Sequence, residues 1–73
     1  MKVTIEYCVV WNYYPRAAGL AEELKKALDG IEIELIKSSG GAFEVTCNGK
    51  TIFSKYRQGR FPDSGEILDL LRN

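Results

Sequence analysis

Lys2-Val3-Thr4-Ile5-Glu6-Tyr7-Cys8-Val9-Val10-Trp11-Asn12-Tyr13-Tyr14-Pro15-Arg16-Ala17 passes from one backbone period to another. Val3, Ile5 and Tyr7 alternate with Lys2, Thr4 and Glu6 over residues 2–8, the pattern of a strand buried on one face. Pro15 then suits the first turn of a helix, where its missing N–H has no intrahelical partner to lose. Ala17, Leu20, Ala21, Leu24 and Leu28 follow at helical spacing, with Glu22, Glu23, Lys25 and Lys26 on the wet side. Gly30 fits the left-handed position just past the helix end. Ile31-Glu32-Ile33-Glu34-Leu35-Ile36-Lys37 alternates again. Strand, helix and strand with short links predict a βαβ unit, whose two strands run parallel.

Beyond that unit, Ser38-Ser39-Gly40-Gly41 reads as a loop. Residues 42–47 and 50–55 read as two strands joined at Asn48-Gly49, the strongest short hairpin signal. A loop over 56–62 leads to a last helix, with Asp63 and Glu66 at N-cap and N3 spacing and Ile67, Leu68, Leu70 and Leu71 as its apolar stripe. The expected order is β-α-β-β-β-α. That is a single α/β (α+β) domain over residues 1–73, a four-stranded mixed sheet with two helices, and it fits the thioredoxin-like folds.

Seventy-three residues suffice for one domain, and a chain of this size buries only about 60% of the surface its unfolded form exposes. At 45% hydrophobic and 27% charged residues, the composition is that of a globular chain. Ten basic residues balance ten acidic ones, which weakens any case for a nucleic-acid or membrane-surface binder. No apolar run is long enough to span a bilayer, and residues 1–6 lack the apolar core of a signal peptide, so a reducing cytoplasm is the expected location. Two cysteines and no histidine make a poor zinc site and exclude Ser-His-Asp and Cys-His catalysis. Lys50, Lys55, Arg57 and Arg60 interleave with Phe53, Tyr56 and Phe61, a pattern that can bind single-stranded nucleic acid. A solvated face is the favoured reading of that window, with Arg57 or Arg60 as candidates to hold an anion near a thiol site.

Cys8 is the residue with chemistry to offer. It falls at the carboxyl end of the first strand, where βα units gather ligands. The following helix N-terminus, with Arg16 beside it, would favour thiolate over thiol, and the thiolate is the species that attacks disulfides. Cys8 read blandly is a small buried hydrophobe, the commonest fate of a free cysteine; the favoured expectation is a sulfur in solvent beside residue 11. Cys47 is expected to pack by the hairpin, without a bond to Cys8. Trp11 is read first as a cap over the core, and otherwise as an exposed contact residue forming a docking patch with Val9 and Val10. Tyr7, Tyr13 and Tyr14 are read as packing residues.

Over essentially its whole length the chain resembles the selenoprotein W-like (Rdx) group of small thioredoxin-fold proteins. The resemblance lies in the opening strand into Tyr7-Cys8, the 13–17 segment, Gly40-Gly41-Ala42-Phe43-Glu44-Val45, Ile52-Phe53-Ser54-Lys55 and Gly59-Arg60-Phe61-Pro62-Asp63. It implies a redox motif of Cys, two residues, then Cys or selenocysteine. Cys8 matches the first position, and Trp11 departs from the second, since indole cannot form a sulfur–sulfur or sulfur–selenium bond. Either this chain has lost the second redox residue, or position 11 is natively selenocysteine, whose UGA codon is one base from the UGG of tryptophan. In the second case Cys8 and residue 11 would form a selenylsulfide, with the selenol attacking and Cys8 resolving. The resemblance therefore implies a thiol- or selenol-based oxidoreductase using Cys8 and residue 11. Its redox partners would be glutathione or protein thiols, with no bound cofactor, as a monomer or weak dimer. The alternative is a redox-inactive protein-interaction module that docks through the Val9–Trp11 loop. Gly40-Gly41 lies where the resemblance implies close approach to the Cys8 loop.

Overall fold

In the computed structural model, which describes residues 1–72, β1 (Lys2–Cys8) lies inside a four-stranded sheet. It pairs in parallel with β2 (Glu32–Ser38), Val3 against Ile33 and Ile5 against Leu35, and antiparallel with β3 (Phe43–Cys47), Tyr7 against Phe43 and Ile5 against Val45. β4 (Lys50–Ser54) forms the other edge, giving the order β2-β1-β3-β4. Between β1 and β2 the chain runs through α1 (Tyr14–Ala27), with Pro15 in its first turn. At the hairpin, Asn48 and Gly49 take φ of 51° and 86°, the two positive values a type I′ turn needs. The predicted βαβ unit and hairpin are both present.

Alternation along the strands sends Val3, Ile5, Phe43, Val45 and Phe53 to one face, where Ala17, Leu20, Ala21 and Leu24 of α1 and Ile67 of α3 (Ser64–Arg72) complete the core. Lys2, Thr4, Glu6, Glu44 and Thr46 take the opposite face of the sheet, which those helices leave uncovered. A bulge between Val45 and Thr46 lets Ile52 add to the core side.

Two points differ from the sequence-based expectation. The segment predicted as a loop over 56–62 begins with a one-turn helix, α2 (Lys55–Gln58), so there are three helices. Glu44 supports its start, accepting hydrogen bonds from the Ser54 hydroxyl (2.7 Å) and the Lys55 N–H (3.0 Å); Gly59, left-handed at φ 70°, ends it. In α3 the predicted Asp63 start holds, with the Ile67 N–H on the Asp63 carbonyl at 3.2 Å. Leu70 nonetheless faces outward, and Ile67 is the one residue of that helix described as buried. Among the described residues no helix is long and apolar enough to cross a membrane, and no group of three or more His, Cys, Asp or Glu could hold a metal ion.

Candidate functional site

Where β1 ends, the chain folds into one tight turn before α1. The Asn12 N–H donates to the Val9 carbonyl (3.0 Å) and the Tyr13 N–H to the Cys8 carbonyl (3.0 Å). Nested bonds of this kind, around a left-handed residue, form the Schellman pattern that ends helices. Asn12, at φ 58°, is that left-handed residue, a conformation asparagine tolerates better than most. Two further bonds tie the turn to its neighbours, Cys8 N–H to the Ala42 carbonyl (2.9 Å) and Val9 N–H to the Ser38 carbonyl (3.2 Å).

This wrapping places Cys8 as the cap of a single helical turn. Burial pushes its thiol up, but the main-chain N–H groups of Trp11, Gly41 and Val10 pull it down and prevail, so the thiol sits below its ordinary value. Residues two and three beyond an N-cap are where a capping side chain finds its donors, and Val10 and Trp11 stand at those positions. Gly41 comes from the loop before β3.

The predicted residues are thus brought together, with two corrections to how they work. Cys8 has no accessible surface, whereas the sequence reading put its sulfur in solvent. The donors come from the turn and from Gly41; Arg16, expected to add its charge, instead lies 4.4 Å over the Phe61 ring. Alternation alone points Cys8 to the open face with Glu6 and Thr4, and what seals it is the fold-back of residues 9–12 and the approach of the 40–42 loop.

Trp11 is 62% exposed and Val10 82% exposed, so the favoured reading of the indole as a core cap gives way to the exposed one. Its ring lies against Gly41, where an added Cβ would come within 3.0 Å of the indole; the φ of 76° there also favours glycine. The Tyr56 hydroxyl donates to the Gly40 carbonyl at 2.7 Å, fastening α2 to the same loop. An edge-to-face series, Trp11 to Tyr13 (6.1 Å) and Tyr13 to Phe61 (4.8 Å), runs from the turn toward α3. Tyr7 is buried and Tyr14, beside it at 5.6 Å, is half exposed.

Cys47 is half-buried against the core, and both cysteines are free thiols. Arg60, one of the two proposed anion holders, is committed: its guanidinium forms two bonds to Glu66, at 2.9 and 2.8 Å. The sequence reading missed Asn12, whose type after a strand was the available signal for a left-handed turn. It also missed the Gly41 amide, for which the Gly-Gly pair gave position but not direction.

Comparison with known proteins places these features in a family. The chain matches the Rdx family over residues 2–73. It is 33% identical over 72 residues to Migration and invasion enhancer 1 of Bos taurus, covering 99% of this chain and 63% of that protein. It is 39% identical over 61 residues to the SelT-like protein of Arabidopsis thaliana, covering 84% of this chain and 29% of that one. The chain thus spans less than two thirds of the length of these curated relatives. Its backbone superimposes on a crystal structure of a selenoprotein W-related protein from Vibrio cholerae with a TM-score of 0.93 at 32% identity, covering 97% of this chain and 91% of that one. A protein from Bordetella parapertussis gives 0.94 at 27% identity, covering 97% and 92%. The fold is thioredoxin-like, of the selenoprotein W type.

Proposed function

The chain belongs to the Rdx family, whose members are generally thioredoxin-like redox proteins, and from that membership we propose that it acts in thiol–disulfide exchange through Cys8. The observation that carries the reading is the place of Cys8 at the head of the turn that ends β1, closed by Tyr13 N–H on the Cys8 carbonyl, where nearby main-chain N–H groups hold its thiol below the ordinary value. Such donors stabilise the thiolate, the nucleophile of exchange. The Cys8 thiolate attacks one sulfur of a disulfide, forming a mixed disulfide while the old S–S bond breaks. The departing sulfur leaves with the electron pair and takes a proton from solvent. A second thiol, from glutathione or a protein, then attacks the mixed disulfide and returns Cys8 to its reduced state. Because Cys8 has no accessible surface, the 9–12 turn must swing aside before either attack.

Trp11 contributes its main-chain N–H to the sulfur, and a side-chain replacement at position 11 leaves that donor in place. This supports a working thiolate in the tryptophan form, which lacks a resolving partner at that position. If position 11 is natively selenocysteine, its selenol attacks and Cys8 resolves; a UGA codon there in the native gene supports that form and UGG excludes it. A reducing cytoplasm remains the proposed location. The second reading, a redox-inactive docking module, is favoured by the exposure of Val10 and Trp11.

Alkylation of the Cys47→Ser protein against pH tests the proposal, with Cys8 expected to titrate below the free-thiol value of about 8.5. A midpoint at or above that value, or no reaction at any pH, would leave the docking module as the better account.

A further inference from the structure

The end of the molecule that holds Cys8 has an uneven surface. Val10, Trp11 and Tyr14 are 82%, 62% and 52% exposed and stand close together in the chain around the turn. Next to them lies a group of cations. Arg16 sits over Phe61, and Lys55 lies 5.6 Å from the Tyr13 ring and 5.4 Å from the Phe61 ring, so both are carried on the aromatic series that leads to Trp11. Arg57 follows Tyr56, which the hydroxyl bond to Gly40 holds beside the Cys8 site. Among the described residues the ion pairs are Lys2–Glu34, Lys26–Glu22 and Arg60–Glu66; Arg16, Lys55 and Arg57 take no part in them. Of the carboxylates at this end, Glu44 accepts from the Ser54 hydroxyl and the Lys55 N–H, and Glu6 from the Ser38 hydroxyl at 2.7 Å; both keep their charge, on the sheet face that α1 leaves uncovered. A chain of zero net charge therefore sets three cations free of ion pairs beside the exposed apolar side chains at its thiol end.

We propose that this end receives a cysteine-bearing segment of a partner protein that is both apolar and acidic, its apolar side chains on Val10, Trp11 and Tyr14 and its carboxylates toward Arg16, Lys55 and Arg57. The inference rests on the thiol-exchange reading and names the substrate class for it. Charge complementarity selects the acidic character, since unpaired cations steer an anionic partner to the site and exclude a basic one. The exposed apolar side chains select a protein segment over free glutathione, which carries carboxylates but no apolar surface to cover them. In the exchange, Cys8 bonds to the partner's sulfur, that sulfur's former disulfide partner is released as a thiolate, and solvent protonates it.

The test uses the Cys47→Ser protein and four mixed disulfides of thionitrobenzoate. One is with an acidic, leucine-containing cysteine peptide, one with the same peptide carrying lysines for the acids, one with glutathione and one with neutral mercaptoethanol. Release of coloured thionitrobenzoate reports each attack. The acidic peptide is expected to react at least about tenfold faster than the basic one at low salt, with the gap closing as salt rises. It is also expected to outpace glutathione. In Arg57→Glu, and separately in Lys55→Gln, the acidic-to-basic ratio should fall toward one when each rate is normalised to mercaptoethanol on the same variant. Reaction with mercaptoethanol but no acidic preference overturns the proposed partner and spares the exchange reading. Glutathione matching the acidic peptide likewise overturns it in favour of the free tripeptide. No reaction with the neutral reagent sinks the exchange reading and this inference with it.

Discussion

Gly41 meets two demands at once, a left-handed backbone and a bare Cα beneath the indole, while its N–H faces the Cys8 sulfur. Gly41→Ala is expected to cost about 1–3 kcal/mol from the strained conformation and to raise the Cys8 midpoint as the loop withdraws. Urea unfolding reads the first effect and alkylation against pH the second. Adding Trp11→Ala relieves the steric clash but not the φ, so the double variant should recover only part of the loss. Asn12 offers a cleaner case. Asn12→Gly should leave stability within about 0.5 kcal/mol or improve it, whereas Asn12→Val should lose at least about 1–2 kcal/mol, because a branched side chain resists φ near 58°. Melting curves of the two variants separate a conformational requirement from a side-chain contact.

Helix α3 is pinned at its start by Glu66. The Arg60 guanidinium bonded to it holds its carboxyl below the usual range, the Asp63 main chain adding to the effect, and Arg60 is correspondingly raised. A carboxyl with a depressed folded value contributes stability that is full above the unfolded value of about 4.3 and is lost as pH falls through the lower folded value. Acid unfolding of Glu66→Gln should therefore show a shallower loss of stability below about pH 4.3 than the parent. An identical slope would mean that the pair is equally formed in the unfolded chain or absent in solution. At this scale the sequence was legible wherever order is local. Alternation in 2–8 and 31–37, helical spacing from Ala17 to Leu28 and the Asn48-Gly49 turn each carry their own signal, and each is found. What stayed hidden depends on residues far along the chain. The turn at 55–58 draws on a carboxylate from β3, and the sealing of Cys8 draws on the 40–42 loop, neither of which any local period can announce.

For the molecule as a whole, a core this small leaves little reserve: a domain of this size has about 4–11 kcal/mol to lose. Ile67 is fully buried and is the buried anchor of α3. Ile67→Ala should cost about 2–5 kcal/mol, enough to release α3 at moderate urea concentrations while β1–β3 still pair. A two-stage loss of helix and sheet signals would bear that out; a single transition of unchanged midpoint would mean that α3 is dispensable. Finally, the chain has one tryptophan, and it rests on the glycine whose amide helps hold the Cys8 thiol below its ordinary value. Nature has thereby installed an optical reporter at this spot: bonding a second sulfur to Cys8 should change the brightness and colour of the indole's glow, letting a fluorimeter test for the proposed exchange without any added dye.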